Sequence, residues 1–163
     1  YINSVEKNII NEDEFKLRRI KYDDKVLHRS RVIRYYTEAN TPLQKVEKDL
    51  STIYKKIKKN KKYFFSAKDL ALIESLVKDG VKIPKEINIE KISEKYSVPQ
   101  SLLDLVESQE NGLLTLKFIE IIGEDEISNL DPETIYFIIN ILNKSKLFKF
   151  RNKVLNAALP LRV

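Results

Sequence analysis

Three features of the sequence predict an all-α fold. Apolar residues recur at steps of three and four, helix-start signatures stand just before those runs, and the glycines Gly80, Gly112 and Gly123 sit singly where helices are due to stop. At 163 residues, 42% apolar and 33% charged, the chain can bury one core or two small ones and is too apolar for disorder. The expected architecture is an αα-superhelix of solenoid type or an irregular bundle, with about seven helices. Residues 1–23 read as an N-terminal arm and 24–163 as a single helical domain, with 24–80 (basic) and 81–163 (acidic, then basic) as candidate sub-units.

The arm is polar, with Ile9 and Ile10 its only adjacent apolar pair. From Asp24 to Thr37, Val26, Leu27, Ile33, Tyr35 and Tyr36 follow helical spacing, and Asn40-Thr41-Pro42 breaks the run because a proline ring disfavours helix in the residue before it. Thr41 and Gln44 have the spacing of a capping box, with Pro42 at the first helical position. The helix from Pro42 to about Lys59 then places Leu43, Val46, Leu50, Ile53 and Ile57 on one seam, with lysines outside it. Ser66 and Asp69 repeat the capping signature before Leu70, Ile73, Leu76 and Val77, and Gly80 closes that helix.

Residues 89–96 and 99–110 read as two short helices, the second ended by Asn111-Gly112. Leu113 to Ile122 is apolar on most sides, which suits a buried helix. Asp131 and Pro132 open the next helix, through Ile135, Tyr136, Phe137, Ile138, Ile139, Ile141 and Leu142. Propensity alone allows a strand there, but no second strand-like run could pair with it. A last helix is expected from about Lys146 to Leu159, stopping at Pro160.

Charge is segregated along the chain. Residues 15–65 carry 16 bases and 5 acids, residues 81–134 carry 5 bases and 12 acids, and residues 135–163 carry 6 bases and no acid, within a net charge of +6. A basic block of this kind suits a polyanion, a charged partner or a solvated helix face. The residues expected to contact a partner or polyanion are Arg29, Arg31, Arg34, Tyr35, Tyr36, Lys55, Lys56, Lys58, Lys59, Lys61 and Lys62. Arg18, Arg19 and Lys21 extend the block, and the interleaved aromatics Tyr63, Phe64 and Phe65 suit either stacking on unpaired bases or the core.

Several chemistries lack their residues. Cys, Met and Trp are absent and His28 is the only histidine, which excludes disulfides, thiolate chemistry and multi-histidine metal sites. His28 has no Ser or Cys partner at a recognisable spacing, and no glycine-rich phosphate loop is present. The acids Glu124, Asp125, Glu126, Asp131 and Glu133 match no calcium loop, and Asp131 and Glu133 have a structural reason at a helix start. No cofactor or metal is expected. No apolar run approaches the roughly 20 residues of a membrane span. Tyr1 stands without an initiator Met or signal-like segment, so the sequence reads as a processed product or a piece of something longer, and its lack of Cys fits cytosol and periplasm equally.

Two resemblances can be drawn. Tyr96-Ser97-Val98-Pro99, Leu102-Leu103 and Glu110-Asn111-Gly112 resemble the opening of a lytic transglycosylase domain, which implies Glu110 as general acid. Asn111 replaces the Ser usual after that Glu, and the downstream Gly-Ala and Gly-Leu-Met-Gln elements are missing, so enzyme function is not the expectation. Residues 121–160 (IIGEDEISNLDPETIYFIINILNKSKLFKFRNKVLNAALP) resemble αα-hairpin layers of bacterial tetratricopeptide-like helical-repeat proteins, including large exported ones of alphaproteobacteria. That resemblance implies a scaffold and carries over no functional residue. The expected function is a non-enzymatic interaction or scaffold module within a larger protein or assembly, binding a protein partner. The alternative is nucleic-acid or other polyanion binding through the basic helices of residues 15–65.

Overall fold

In the computed structural model, residues 30–60, 63–122 and 126–159 are described. The N-terminal arm, Asp24, His28, Arg29, Lys61, Lys62, Gly123, Glu124, Asp125 and Pro160 lie outside them. Among the described residues there are eight α-helices and no strand: α1 (Arg34–Thr37), α2 (Leu43–Lys59), α3 (Ala67–Lys78), α4 (Ile89–Ser93), α5 (Gln100–Glu107), α6 (Asn111–Ile122), α7 (Pro132–Lys144) and α8 (Phe148–Ala158). Two 3-10 turns, Arg31–Ile33 and Ile127–Asn129, join them.

Two of the expected helix starts form as read. Ser66 Oγ accepts from the Asp69 amide at 3.2 Å, and the Asp69 carboxylate accepts in return from the Ser66 amide at 3.1 Å. Asp131 Oδ1 accepts from the amides of Glu133 and Thr134, each at 3.0 Å, with Pro132 in the first turn. Gly80 takes φ +89° just past α3, a conformation with little steric cost only for glycine.

Other boundaries differ. Thr41 does not cap α2: Pro42, with ψ 141°, is itself the extended residue before the helix, and the Thr41 hydroxyl donates back to the Arg34 carbonyl at 3.5 Å. Of the helix expected from Asp24 to Thr37, residues 24–29 lie outside the described residues, and Ser30, which is extended and accepts the Val32 amide at 3.3 Å, starts the turn that leads into α1. Gly112 does not end α5; it lies in the first turn of α6, and Gln109 makes the left-handed turn instead, at φ 57°. A non-glycine residue holds that conformation at a cost of about 1–2 kcal/mol.

The core runs through α3 and α7, which make the most extensive helix contact. Leu70, Leu72, Ile73 and Leu76 of α3 meet Ile135, Ile138, Ile139, Ile141 and Leu142 of α7, all essentially buried, in one cluster with Val154 and Leu155 of α8. Burying each such side chain stabilises the fold by about 1.5–3 kcal/mol. The run Thr134–Leu142 is therefore a core helix, buried along nearly its whole length. Because α3 packs on α7 across three intervening helices, and α8 packs back on α1, the arrangement is a bundle with non-sequential contacts. A solenoid would stack each layer only on its neighbours. The α3–α7 contact joins a helix from each side of residue 80.

Candidate functional site

The basic block places six lysines on α2. Its inner seam, Val46, Leu50 and Ile57, is buried, the first two in the same cluster as Val32 and Ile33 of the preceding turn. At 3.6 residues per turn, Lys45, Lys48, Lys55, Lys56 and Lys59 share about 100° of circumference on the side away from that seam. All five are exposed, as is Lys58 beside them. Glu47 and Asp49 are half-buried at the flanks, and Glu47 is engaged by the Lys82 amide at 2.9 Å. Arg31 is exposed on the 3-10 turn that packs against α2.

The other expected contact residues are placed less openly. Arg34 is half-buried and pairs with Glu38 at 3.2 Å. Tyr35 is half-buried with its ring edge-on to Tyr36 at 4.8 Å. Tyr36, expected at a partner surface, is only 7% exposed, and its hydroxyl donates to Asp79 at 2.8 Å. Burial, with the Asp79 charge beside it, pushes the Tyr36 phenol far above its ordinary range, so it stays protonated as a donor. Arg29, Lys61 and Lys62 lie outside the described residues.

Tyr36 belongs to a buried polar clasp that the sequence reading missed. Arg151 is 1% exposed; one guanidinium nitrogen bridges both Asp79 oxygens at 2.7 and 2.8 Å, and another donates to Asn143 at 2.9 Å. Asn143 donates in turn to Ser75 at 3.2 Å, and the guanidinium carbon lies 4.7 Å from the Phe148 ring and 5.6 Å from the Tyr36 ring. The clasp ties α1, the end of α3, α7 and α8 together. Its charges are saturated by one another, which suits holding helices in register more than catalysis. One signal was available: Arg151 shares the apolar side of its helix with Leu147, Val154 and Leu155 at steps of three and four.

A second internal cluster pairs Glu74 of α3 with Asn140 at 3.1 Å and the Tyr136 hydroxyl at 3.3 Å. Burial raises the Glu74 carboxyl above its ordinary 4.5, against the lowering effect of the two hydrogen bonds. A carboxyl raised in the folded state binds its proton more tightly there than in the unfolded chain, so its contribution favours folding at low pH and is lost as pH rises above 4.5. Glu74→Gln, which keeps an acceptor and cannot ionise, is expected to raise the neutral-pH Tm by a few degrees and to flatten the fall in stability above that pH. Thermal melts of both proteins from pH 4 to 7 check this.

The run Leu113 to Ile122, apolar on most sides and expected to suit a buried helix, forms in α6 a helix with one side exposed. Among its described side chains, Leu114 and Phe118 are fully covered, with Phe118 edge-on to Phe150 of α8 at 6.4 Å. Leu113, Leu116 and Ile119, at steps of three, are 45%, 58% and 57% exposed. They form an apolar ridge on the order of 300 Å², well under the roughly 800 Å² per partner of a standard stable interface. This helix, α5, which packs on it, and the connector between them expose Asp104, Glu107, Glu110 and Glu120, against one half-buried cation, Lys117, paired with Glu120 at 3.2 Å.

Glu110 lies exposed in the α5–α6 connector, accepting from the Ser108 hydroxyl at 3.2 Å, and no apolar cleft encloses it. Asp131 is occupied in capping α7, and among the described residues no group of three His, Cys, Asp or Glu could hold a metal ion. No described helix is long and apolar enough to cross a membrane. Comparison with known proteins finds no matching family model, no similar curated protein and no similar solved structure.

Proposed function

We propose that this protein is a non-enzymatic interaction module that receives a basic, amphipathic helix of a protein partner on the outer face of α5 and α6. The observation that carries the reading is the ridge of Leu113, Leu116 and Ile119, left exposed on α6, which packs on α5; the exposed charged side chains of this pair and its connector, Asp104, Glu107, Glu110 and Glu120, are all acids. Three aliphatic side chains at steps of three form a ridge of the kind that packs into the groove of a second helix. The acids select lysines and arginines at the flanks of that helix and speed its approach. The ridge is too small to hold a second copy of the chain by itself, which favours a slender helical segment over a broad dimer interface. Glu110, open to solvent, serves as one of the acids at this face.

The probe is a synthetic amphipathic peptide of about 18 residues with leucines along one face and lysines elsewhere, titrated by calorimetry. Binding in the micromolar range is expected, weakened at least tenfold by the double variant Leu116→Asp, Ile119→Asp. Both positions are exposed, so the fold tolerates the change. A peptide of the same composition with its leucines scattered should bind far more weakly. Equal binding of both peptides, or no effect of the double variant, contradicts the proposal.

A further inference from the structure

We infer that the lysine face of α2 is a second, independent binding surface, which grips the phosphate backbone of duplex nucleic acid without reading its sequence. The inference rests on the arrangement of the side chains and not on net charge. Lys45, Lys48, Lys55, Lys56 and Lys59 lie on one side of a helix, exposed, and none forms an ion pair among the described residues. A cation already paired with a carboxylate gains little by meeting a phosphate, whereas these five can release counterions from the duplex on contact.

Their span also fits. From Lys45 to Lys59 the helix rises about 21 Å, at 1.5 Å per residue. The same length of duplex holds about six base pairs at 3.4 Å each, and one side of it presents several phosphates to a straight row of ammonium groups. Ammonium groups on flexible stems suit backbone phosphates as point charges and carry no fork to read a base edge.

What the face lacks decides which polyanion it suits. Single-stranded nucleic acid is gripped by aromatic platforms as well as charge. The aromatics interleaved with the basic block do not supply one: Tyr54 is half-buried against the core, and Tyr63 and Phe65 are half-buried, ring against ring at 5.5 Å. A membrane-surface helix needs large apolar groups beside its cations. Here Val46, Leu50 and Ile57 of the α2 seam are buried, Leu43 at its start is the one large apolar side chain of the helix that is exposed, at 38%, and it lies on the seam side, while the residues among the lysines, Gln44, Ser51 and Thr52, are polar. The acidic α5–α6 face makes no extended contact with α2, so the two surfaces carry opposite charge on separate helices. Failure of either proposal leaves the other standing.

The test is fluorescence anisotropy of a labelled 24-base-pair duplex titrated with the full chain at 50 and 200 mM salt. Micromolar binding at the lower salt is expected, with a log–log salt slope of about −4 for four to five phosphate contacts and so roughly 250-fold weakening across that range. The quadruple variant Lys45→Glu, Lys48→Glu, Lys55→Glu, Lys59→Glu should lose binding at least a hundredfold. A control that reverses four exposed lysines elsewhere, Lys82→Glu, Lys91→Glu, Lys95→Glu, Lys153→Glu, makes the same change in net charge and should keep most of the affinity. Far-UV circular dichroism of both variants checks that the helices persist. Four results overturn the inference: no binding by the parent chain, equal loss in the two variants, tighter binding to a single strand of the same sequence, or tighter binding to phosphatidylserine vesicles than to the duplex.

Discussion

Replacing Arg151 with methionine is expected to remove about 3–5 kcal/mol of stability, the usual effect of deleting one partner of a buried ion pair. Methionine fills part of the volume, so the loss comes chiefly from what remains. Asp79 keeps its charge beneath Tyr36, with no cation at 2.7 Å to offset it, and Asn143 loses the donor to its carbonyl oxygen. Against the 5–15 kcal/mol that holds a domain of this kind, the change is severe. The double variant Arg151→Met, Asp79→Leu should recover much of the loss, because apolar residues of similar volume often replace a buried pair without penalty. Urea denaturation followed by circular dichroism measures both. A single-variant loss under 1 kcal/mol would mean that the clasp does not hold the helices.

The second large effect is expected at Phe118. Truncation to alanine empties a fully buried site and should remove about 3–5 kcal/mol. It also removes the ring that meets Phe150, and with it a principal contact between α6 and α8. Amides of residues 111–122 should then exchange with solvent well before those of α3 and α7, since a helix that has lost its anchoring contact opens locally. Leu116→Ala, two positions away and 58% exposed, should change stability by no more than about 0.5 kcal/mol. This pair of variants separates the packed side of α6 from the open one. Equal losses would place Leu116 in the core and remove the ridge on which the proposed function rests.

Local chemistry was the legible part of this fold. The Ser66–Asp69 box and the Asp131-Pro132 start could be read directly, because a cap is made within four residues, whereas Thr41 and Gln44, at the same spacing, form no cap because the Thr41 hydroxyl turns back to the Arg34 carbonyl. The helical state of the apolar run in α7 followed from its start signal and from the lack of a strand to pair with it. Non-local choices were not legible. α6 is apolar on most of its circumference, and nothing in residues 111–122 says which side the bundle will cover. Arg151 falls at helical spacing with Leu147, Val154 and Leu155, but nothing local names its partner, since Asp79 lies 72 residues away. Tyr36 reads as an exposed aromatic for the same reason, since Asp79 is 43 residues along the chain. The lysines of α2, in contrast, stand where the seam of Val46, Leu50 and Ile57 required, on the opposite side.

The most direct test of the proposed function is an amide chemical-shift map of the labelled protein titrated with the leucine–lysine peptide. The account predicts shifts that saturate together and cluster in residues 100–122, strongest around Leu113, Leu116 and Ile119, with the α2 amides unmoved. Shifts centred on α2, or spread evenly over the acidic surface without the ridge, would contradict it.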